Sequence, residues 1–182
     1  MVPLAVFVAL SVPIIWVSRR SLPCPRSHGF SRFFAFEAVL ALLVLNVTHW
    51  FQRPFSTPQL VSWVFLCVSG LFVVWGVVLL RRLGGFRPSA EMAPEYGWEK
   101  TGRLVTVGVY RYIRHPMYSS VLFLAWGAVL KRVTVGTLVL GAVAAVSLVL
   151  TAKTEETENV KRFGTEYLEY MRRTHRFVPF LL

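Results

Sequence analysis

The stretch from Leu60 to Leu80 reads LVSWVFLCVSGLFVVWGVVLL, 21 residues without a charge. As an α-helix it would be about 31 Å long, and the hydrocarbon core of a bilayer is about 30 Å thick. A second run, Val133 to Ala152, holds 20 uncharged residues. Working outward from these two, three more apolar blocks appear. Pro3 to Ser18 is almost wholly apolar, and Phe33 to Phe51 is interrupted by Glu37, Asn46 and His49. Tyr118 to Leu130 is shorter, so it borrows from the residues before it or forms a short or tilted element. The pattern predicts an all-α integral membrane protein with five transmembrane helices.

Composition points the same way. Of 182 residues 55% are hydrophobic and 16% charged, whereas soluble domains run at about 45–50% and about 25%. This excludes an ordinary soluble globule. It also excludes disorder, which needs low hydrophobicity and high charge.

The charge is lopsided. Twenty Lys and Arg stand against nine acids, all of them Glu, for a net +11. Nucleic acid, anionic lipid or an anionic ligand would each explain such a surplus. Position decides among them. Three alternate segments (the link after block one, the link after block three and the tail) carry 17 of the 20 basic residues. That is the positive-inside pattern, with the amino end outside and the carboxyl end in the cytoplasm. In a bacterium this places the chain in the inner (plasma) membrane. A DNA reader would concentrate its charge on a soluble module, and the sequence offers none, so no nucleic-acid partner is expected. Block one has no positive charge at its amino end, so it reads as a retained helix rather than a secretory signal.

Cys24 and Cys67 are too few for a disulfide framework. His28, His49, His115 and His175 are scattered, and no C-x-x-C or H-E-x-x-H occurs. No metal is expected.

Two segments carry enough polar sequence for a site. One is the link from Arg81 to Met117, loop-like through Gly84, Gly85, Pro88, Pro94 and Gly97. The other is the tail from Lys153, where helix five is predicted to continue until Gly164. Glu166 to Arg173 then reads as a short amphipathic helix, with Tyr167, Tyr170 and Met171 on one face and Pro179 as its latest end.

Three motifs hold the chemistry. The first runs from Gly108 to Tyr118, GVYRYIRHPMY. Pro116 suits a first helical position. The helix start behind it offers free N–H groups to an anion, with Arg114 as a bidentate clamp. The other reading is a basic aromatic belt at the membrane interface. The second motif is Glu155-Glu156. Adjacent carboxylates repel and point about 100° apart on a helix, so one can face an interior site while the other meets solvent. The third is Arg172-Arg173 with Arg176, readable as lipid head-group contacts. Glu37, a carboxylate inside a membrane block, reads as lying near the cytoplasmic end of its helix, within reach of the interface or Arg32. Gly70, Gly76, Gly136, Gly141 and Ala145 read as close helix-packing positions.

Arg114-His115-Pro116-x-Tyr118, with Glu155-Glu156 and Phe163-Gly164-x-Glu166-Tyr167-x-x-Tyr170, resembles the isoprenylcysteine carboxyl methyltransferase family, which is related to the membrane phospholipid N-methyltransferases. The motifs cover Thr101 to Phe180, under half of the chain, and the first three helices match only in being membrane helices. The resemblance implies a methyltransferase of EC class 2.1.1 with S-adenosylmethionine as donor. It implies one membrane domain over residues 1–182: three helices in 1–80, and a cofactor-binding core in 81–182 with a two-helix membrane segment. It implies a cytoplasmic cofactor site and a lipophilic or lipid acceptor entering from the bilayer. Carried over by position, Gly108, Tyr110, Arg114, His115, Pro116, Tyr118, Glu155 and Glu156 bind the cofactor. Arg114, Glu156 and Arg173 are the catalytic candidates, with Arg173 near the reacting end of the acceptor. The chain departs from the family where Ser119 and Ser120 stand in place of a small residue and Gly, and in the tail, where Thr174-His175 follows Arg173 in place of Val-Pro. Two alternatives remain: a sterol-reductase-like enzyme using NADPH, which the Glu pair opposes, and a non-enzymatic membrane protein.

Overall fold

The computed structural model describes residues 2–85 and 102–178. The middle of the 81–117 link, with Arg87, Pro88, Pro94, Gly97 and Lys100, lies outside the described residues, as do Pro179 and Phe180. Among these residues six α-helices follow in order: α1 (Val2–Ser18), α2 (His28–Asn46), α3 (Thr57–Leu83), α4 (Pro116–Val129), α5 (Val135–Phe163) and α6 (Thr165–Arg173). Short 3-10 turns cover Val47–His49 and Gly108–Arg111. No strand occurs among the described residues beyond one parallel bridge, Ile113 to His175.

Among the described residues three helices, α2, α3 and α5, are long and apolar enough to cross a membrane, while α1 and α4 are shorter. Block two starts five residues earlier than its apolar run, because Ser27 caps the helix by accepting a hydrogen bond from the Phe30 amide. This moves Glu37 to mid-helix. It faces α1, where Ser11 Oγ donates to its Oε2 over 2.7 Å. Helix α5 runs on through its charged end to Gly164, as its good helix formers predict.

α3 is inside out by soluble standards. It buries Gln59, Ser62, Ser69 and Gly76 and exposes Leu71 (67%) and Val74 (63%). Its buried hydroxyls donate to α4 carbonyls, Ser62 to Gly127 and Ser69 to Ser120, each over 2.7 Å. Such bonds between membrane helices contribute about 0.6 kcal/mol each. α4 packs along α3 and α5, and α2 packs along α5. Their shared core is rich in alanine: Ala38, Ala125, Ala128 and Ala144 with Leu42 and Val129. A Cβ on Gly76 would lie 3.3 Å from Pro116, and one on Gly141 would lie 2.9 Å from Val129. Both are close-packing positions. Gly70 is not one, since a Cβ there would meet nothing within 4 Å.

These contacts sort the helix ends. The start of α4 meets α3 at Gly76, and the start of α2 meets the end of α5 through His28 and Glu158. One end of the molecule therefore gathers the start of α2, the ends of α3 and α5, the start of α4, and α6. At the other end Asn46, Gln59, Ala128 and Lys131 meet. There the Lys131 ammonium is buried over the Trp63 ring (3.6 Å) and donates to Gln59 Oε1. Burial lowers its pKa. Among the described residues Arg81, Arg82, Arg103, Arg111, Lys153, Lys161, Arg162, Arg172 and Arg173 are all exposed near the first end.

Candidate active site

α4 has only 14 residues. It starts against Gly76, seven residues before α3 ends, and opposite Glu156, seven residues before α5 ends. At a rise of about 1.5 Å per residue, the start of α4 lies about 10 Å inward of the ends of its neighbours. The Arg-His-Pro stretch sits at the bottom of that step.

Glu156 is the centre of the cluster. Its Oε1 accepts from Arg114 Nε (2.8 Å) and Arg176 Nε (3.1 Å), and His115 Nε2 lies 3.3 Å away. Its Oε2 accepts from Arg176 Nη2 over 2.6 Å. Both oxygens are thus committed to protein donors, and the side chain is 5% exposed. Its neighbour Glu155 is 32% exposed. One of its oxygens accepts from Tyr118 Oη over 2.6 Å and lies 3.9 Å from His115 Nδ1. The His115 ring stacks on Tyr118 at 5.4 Å.

Arg114 is a tie as much as a ligand candidate. Beyond Glu156, its Nη1 donates to the carbonyls of Met171 and Thr174 and to Thr174 Oγ1. The chain after α6 turns extended at Thr174 and returns beside residues 112–115. His175 N donates to Tyr112 O, Arg114 N to His175 O, and His115 N to Arg176 O. Ser119 Oγ bonds both the His115 and Phe177 carbonyls, the latter over 2.6 Å. Ser119, the first of the two serines that follow Tyr118, therefore fastens this carboxyl-terminal strap to α4.

The tyrosines bind the strap helix from below. Tyr170 Oη donates to the Tyr110 carbonyl over 2.7 Å, and Tyr167 is buried beside it. Tyr110, Tyr167 and Tyr170 all have their pKa raised, first by burial. The next cause for Tyr110 is the charge of Glu155. Gly108 has φ +62°, where a side chain is strained, and a Cβ there would lie 2.5 Å from Leu79. It seats the 3-10 turn on α3.

Of the residues expected from sequence, the structure brings together Arg114, His115, Pro116, Tyr118, Glu155 and Glu156, with Tyr110 and Gly108 just behind. Arg173 is not among them. Its side chain is 79% exposed and pairs with Glu169 at 3.9 Å. Arg176 stands in the cluster instead. In the sequence it is one basic residue of a basic tail, and only the strap's return shows the difference. His28 is likewise silent in the sequence. No group of three or more His, Cys, Asp or Glu side chains that would hold a metal occurs among the described residues.

The fold and site define a helical membrane protein with a polar cluster recessed at one end of its bundle. A family model described as phospholipid methyltransferase matches residues 59–166, more than half of the chain. The chain belongs to that family. It is 34% identical over 172 residues to protein-S-isoprenylcysteine O-methyltransferase of Homo sapiens, covering 86% of this chain and 57% of that protein. It is 31% identical over 166 residues to the protein of the same name from Rattus norvegicus. Over 77 residues it is 30% identical to methanethiol S-methyltransferase 1 of Bradyrhizobium diazoefficiens (strain JCM 10833 / BCRC 13528 / IAM 13628 / NBRC 14792 / USDA 110), covering 42% of this chain. The chain spans a little over half the length of the isoprenylcysteine methyltransferases it matches. The likeness reaches well into the amino-terminal half, further than the motifs alone carry it.

Proposed function

We propose that this protein is an integral-membrane methyltransferase that uses S-adenosylmethionine and acts on a lipophilic acceptor. One observation carries the reading: the Arg-His-Pro-x-Tyr stretch, the Glu155-Glu156 pair and the chain after α6 converge on one cluster, in a chain of a methyltransferase family.

The residues fit the donor. S-adenosylmethionine carries an amino group, a carboxylate, ribose hydroxyls and a sulfonium, and when bound it supplies the methyl group. Glu155 offers a partly exposed oxygen that accepts from the amino group or the hydroxyls. Tyr118 and His115 present stacked rings to which a cation is attracted. The start of α4 and the partly exposed Arg176 suit the carboxylate. Glu156 and Arg114 keep the cluster's shape, with Glu156 holding two arginines at fixed positions. Methyl transfer is an in-line displacement, so the protein's work is positioning and water exclusion. A carboxylate or thiolate acceptor needs no base. An amine acceptor would need a carboxylate to take its proton. Arg173, on the outer face of α6, would meet the acceptor's polar end or lipid head groups.

The same reading includes five membrane crossings, with the amino end outside and the carboxyl end in the cytoplasm. It also takes 1–182 as one membrane domain, whose second part, 81–182, holds the donor. The basic residues gathered at the end that carries the site support this orientation.

Calorimetry on detergent-purified protein tests the reading. S-adenosylhomocysteine is expected to bind and NADPH not to bind, and Glu155→Ala is expected to abolish the first. Binding of NADPH alone would overturn the proposal.

A further inference from the structure

Three of the chain's nine acids, Glu155, Glu156 and Glu158, fall within four residues near the end of α5. Like charges one turn apart repel, and carboxylates at a helix carboxyl end oppose the dipole. Each is clasped by a different element. α4 holds Glu155 through Tyr118, and the 114–115 segment and the strap hold Glu156. α2 holds Glu158: His28 Nδ1 lies 2.7 Å from Glu158 Oε2, and the His28 side chain is 4% exposed.

His28 is itself held firmly. It is the first residue of α2, directly after the Ser27 cap. The link before it is folded, with Ser27 Oγ donating to the carbonyls of Cys24 (2.8 Å) and Ser21 (3.3 Å). Ser21 presses on Gly29, where a Cβ would lie 2.4 Å from Ser21 Oγ. A rigid first turn of α2 is therefore tied to α5 one turn beyond Glu155. That turn is about 4.5 Å along the axis and about 60° around it.

We infer that His28 is a positioning residue of the site: its hydrogen bond to Glu158 fixes the rotation of the α5 end, and so the direction in which Glu155 points. The inference rests on the methyl-donor reading above and extends it. The motifs that carry the family resemblance lie wholly in the carboxyl-terminal half, yet the site is completed by a side chain from the amino-terminal half.

A double-mutant cycle on the full chain tests it, using His28→Ala, Glu158→Ala and the double variant, with S-adenosylhomocysteine as the calorimetric probe. Each single variant is expected to weaken binding roughly ten-fold, and the double variant no further, as for residues coupled in one contact. His28→Asn, whose amide donates from near the position of Nδ1, is expected to restore affinity to within about three-fold. General loosening of the fold would not be rescued in this way. Unchanged affinity in both single variants, or losses that multiply in full, would overturn the inference. Amide hydrogen exchange over residues 153–163 is measured in parallel. Faster exchange in either single variant, with none added in the double, supports the clasp, and unchanged exchange in both refutes it. If His28→Ala does not fold, Glu158→Ala and His28→Asn complete the comparison. If the wild type does not bind the probe, the methyl-donor reading falls while the exchange data still decide the role of His28.

Discussion

Glu155 and Glu156 are neighbours in opposite surroundings, and the difference is measurable. Glu156 is surrounded by donors, so Glu156→Gln leaves Arg114 and Arg176 without their anion. Breaking a buried pair from one side costs about 3–5 kcal/mol. The partial exposure of Arg176 places this variant at the low end of that range, about 3 kcal/mol, read as a shift in thermal or denaturant midpoint. Glu155→Gln keeps an oxygen that accepts from Tyr118 and loses only a charge at a partly exposed position, so it is expected to cost about 1 kcal/mol or less. Its loss should appear in donor binding instead. Equal stability losses in the two variants would refute the division. Three buried tyrosines supply a second measurement. Tyr110, Tyr167 and Tyr170 hold their protons more tightly in the folded state than a free phenol near pH 10. Deprotonation therefore favours the unfolded chain, and stability falls as pH rises above about 10. In an alkaline absorbance titration these three should ionise only as the protein unfolds.

The motif's residue types were readable from the sequence: the Arg-His-Pro order, the acid pair and the paired tyrosines. The choice between Glu155 and Glu156 was not, because it depends on rotation of α5 against three other elements. Nor was the exchange of Arg173 for Arg176. Both lie in a run of basic residues, and what separates them is that Thr174 leaves the helix and turns the chain back. The position of Glu37 was misread for a simpler reason. The apolar run marks where hydrocarbon begins, whereas the helix begins at its cap, five residues earlier.

At the scale of elements, the strap after α6 is the most consequential piece. It is held by three backbone bonds to residues 112–115 and by Ser119. Ser119→Ala is expected to cost about 1 kcal/mol, the worth of one net hydrogen bond, plus the cost of unpaired carbonyls. Hydrogen exchange should rise at the amides of Arg114, His115 and His175 while the core of α2 and α5 stays protected. Uniform acceleration across the chain would contradict a local role. Helix boundaries from α3 onward were legible within a few residues, because uncharged runs, Pro116 and Gly164 mark them. The strap was not legible. A five-residue return that pairs with a distant loop leaves no periodic trace.

For the whole molecule, the distribution of charge makes a topological prediction. A reporter fused after Leu182 is expected on the cytoplasmic side, and one inserted at Arg53 on the opposite side. Both on one side would break the five-crossing arrangement. The far end also has its own lock, Lys131 against Trp63 and Gln59, joining the start of α3 to the end of α4.

The shortness of α4 has a further consequence. Because the helix stops two turns before its neighbours, the polar cluster lies at a fixed depth, about 10 Å inward of the rim. Under the proposed function the step would act as a gauge. An acceptor whose reactive atom sits too close to its greasy tail rides below that level, and one with too long a polar spacer rides above it. Discrimination among acceptors would then follow the distance between tail and reacting atom, with little regard to tail chemistry. A homologous series of spacer lengths should show a single optimum in rate.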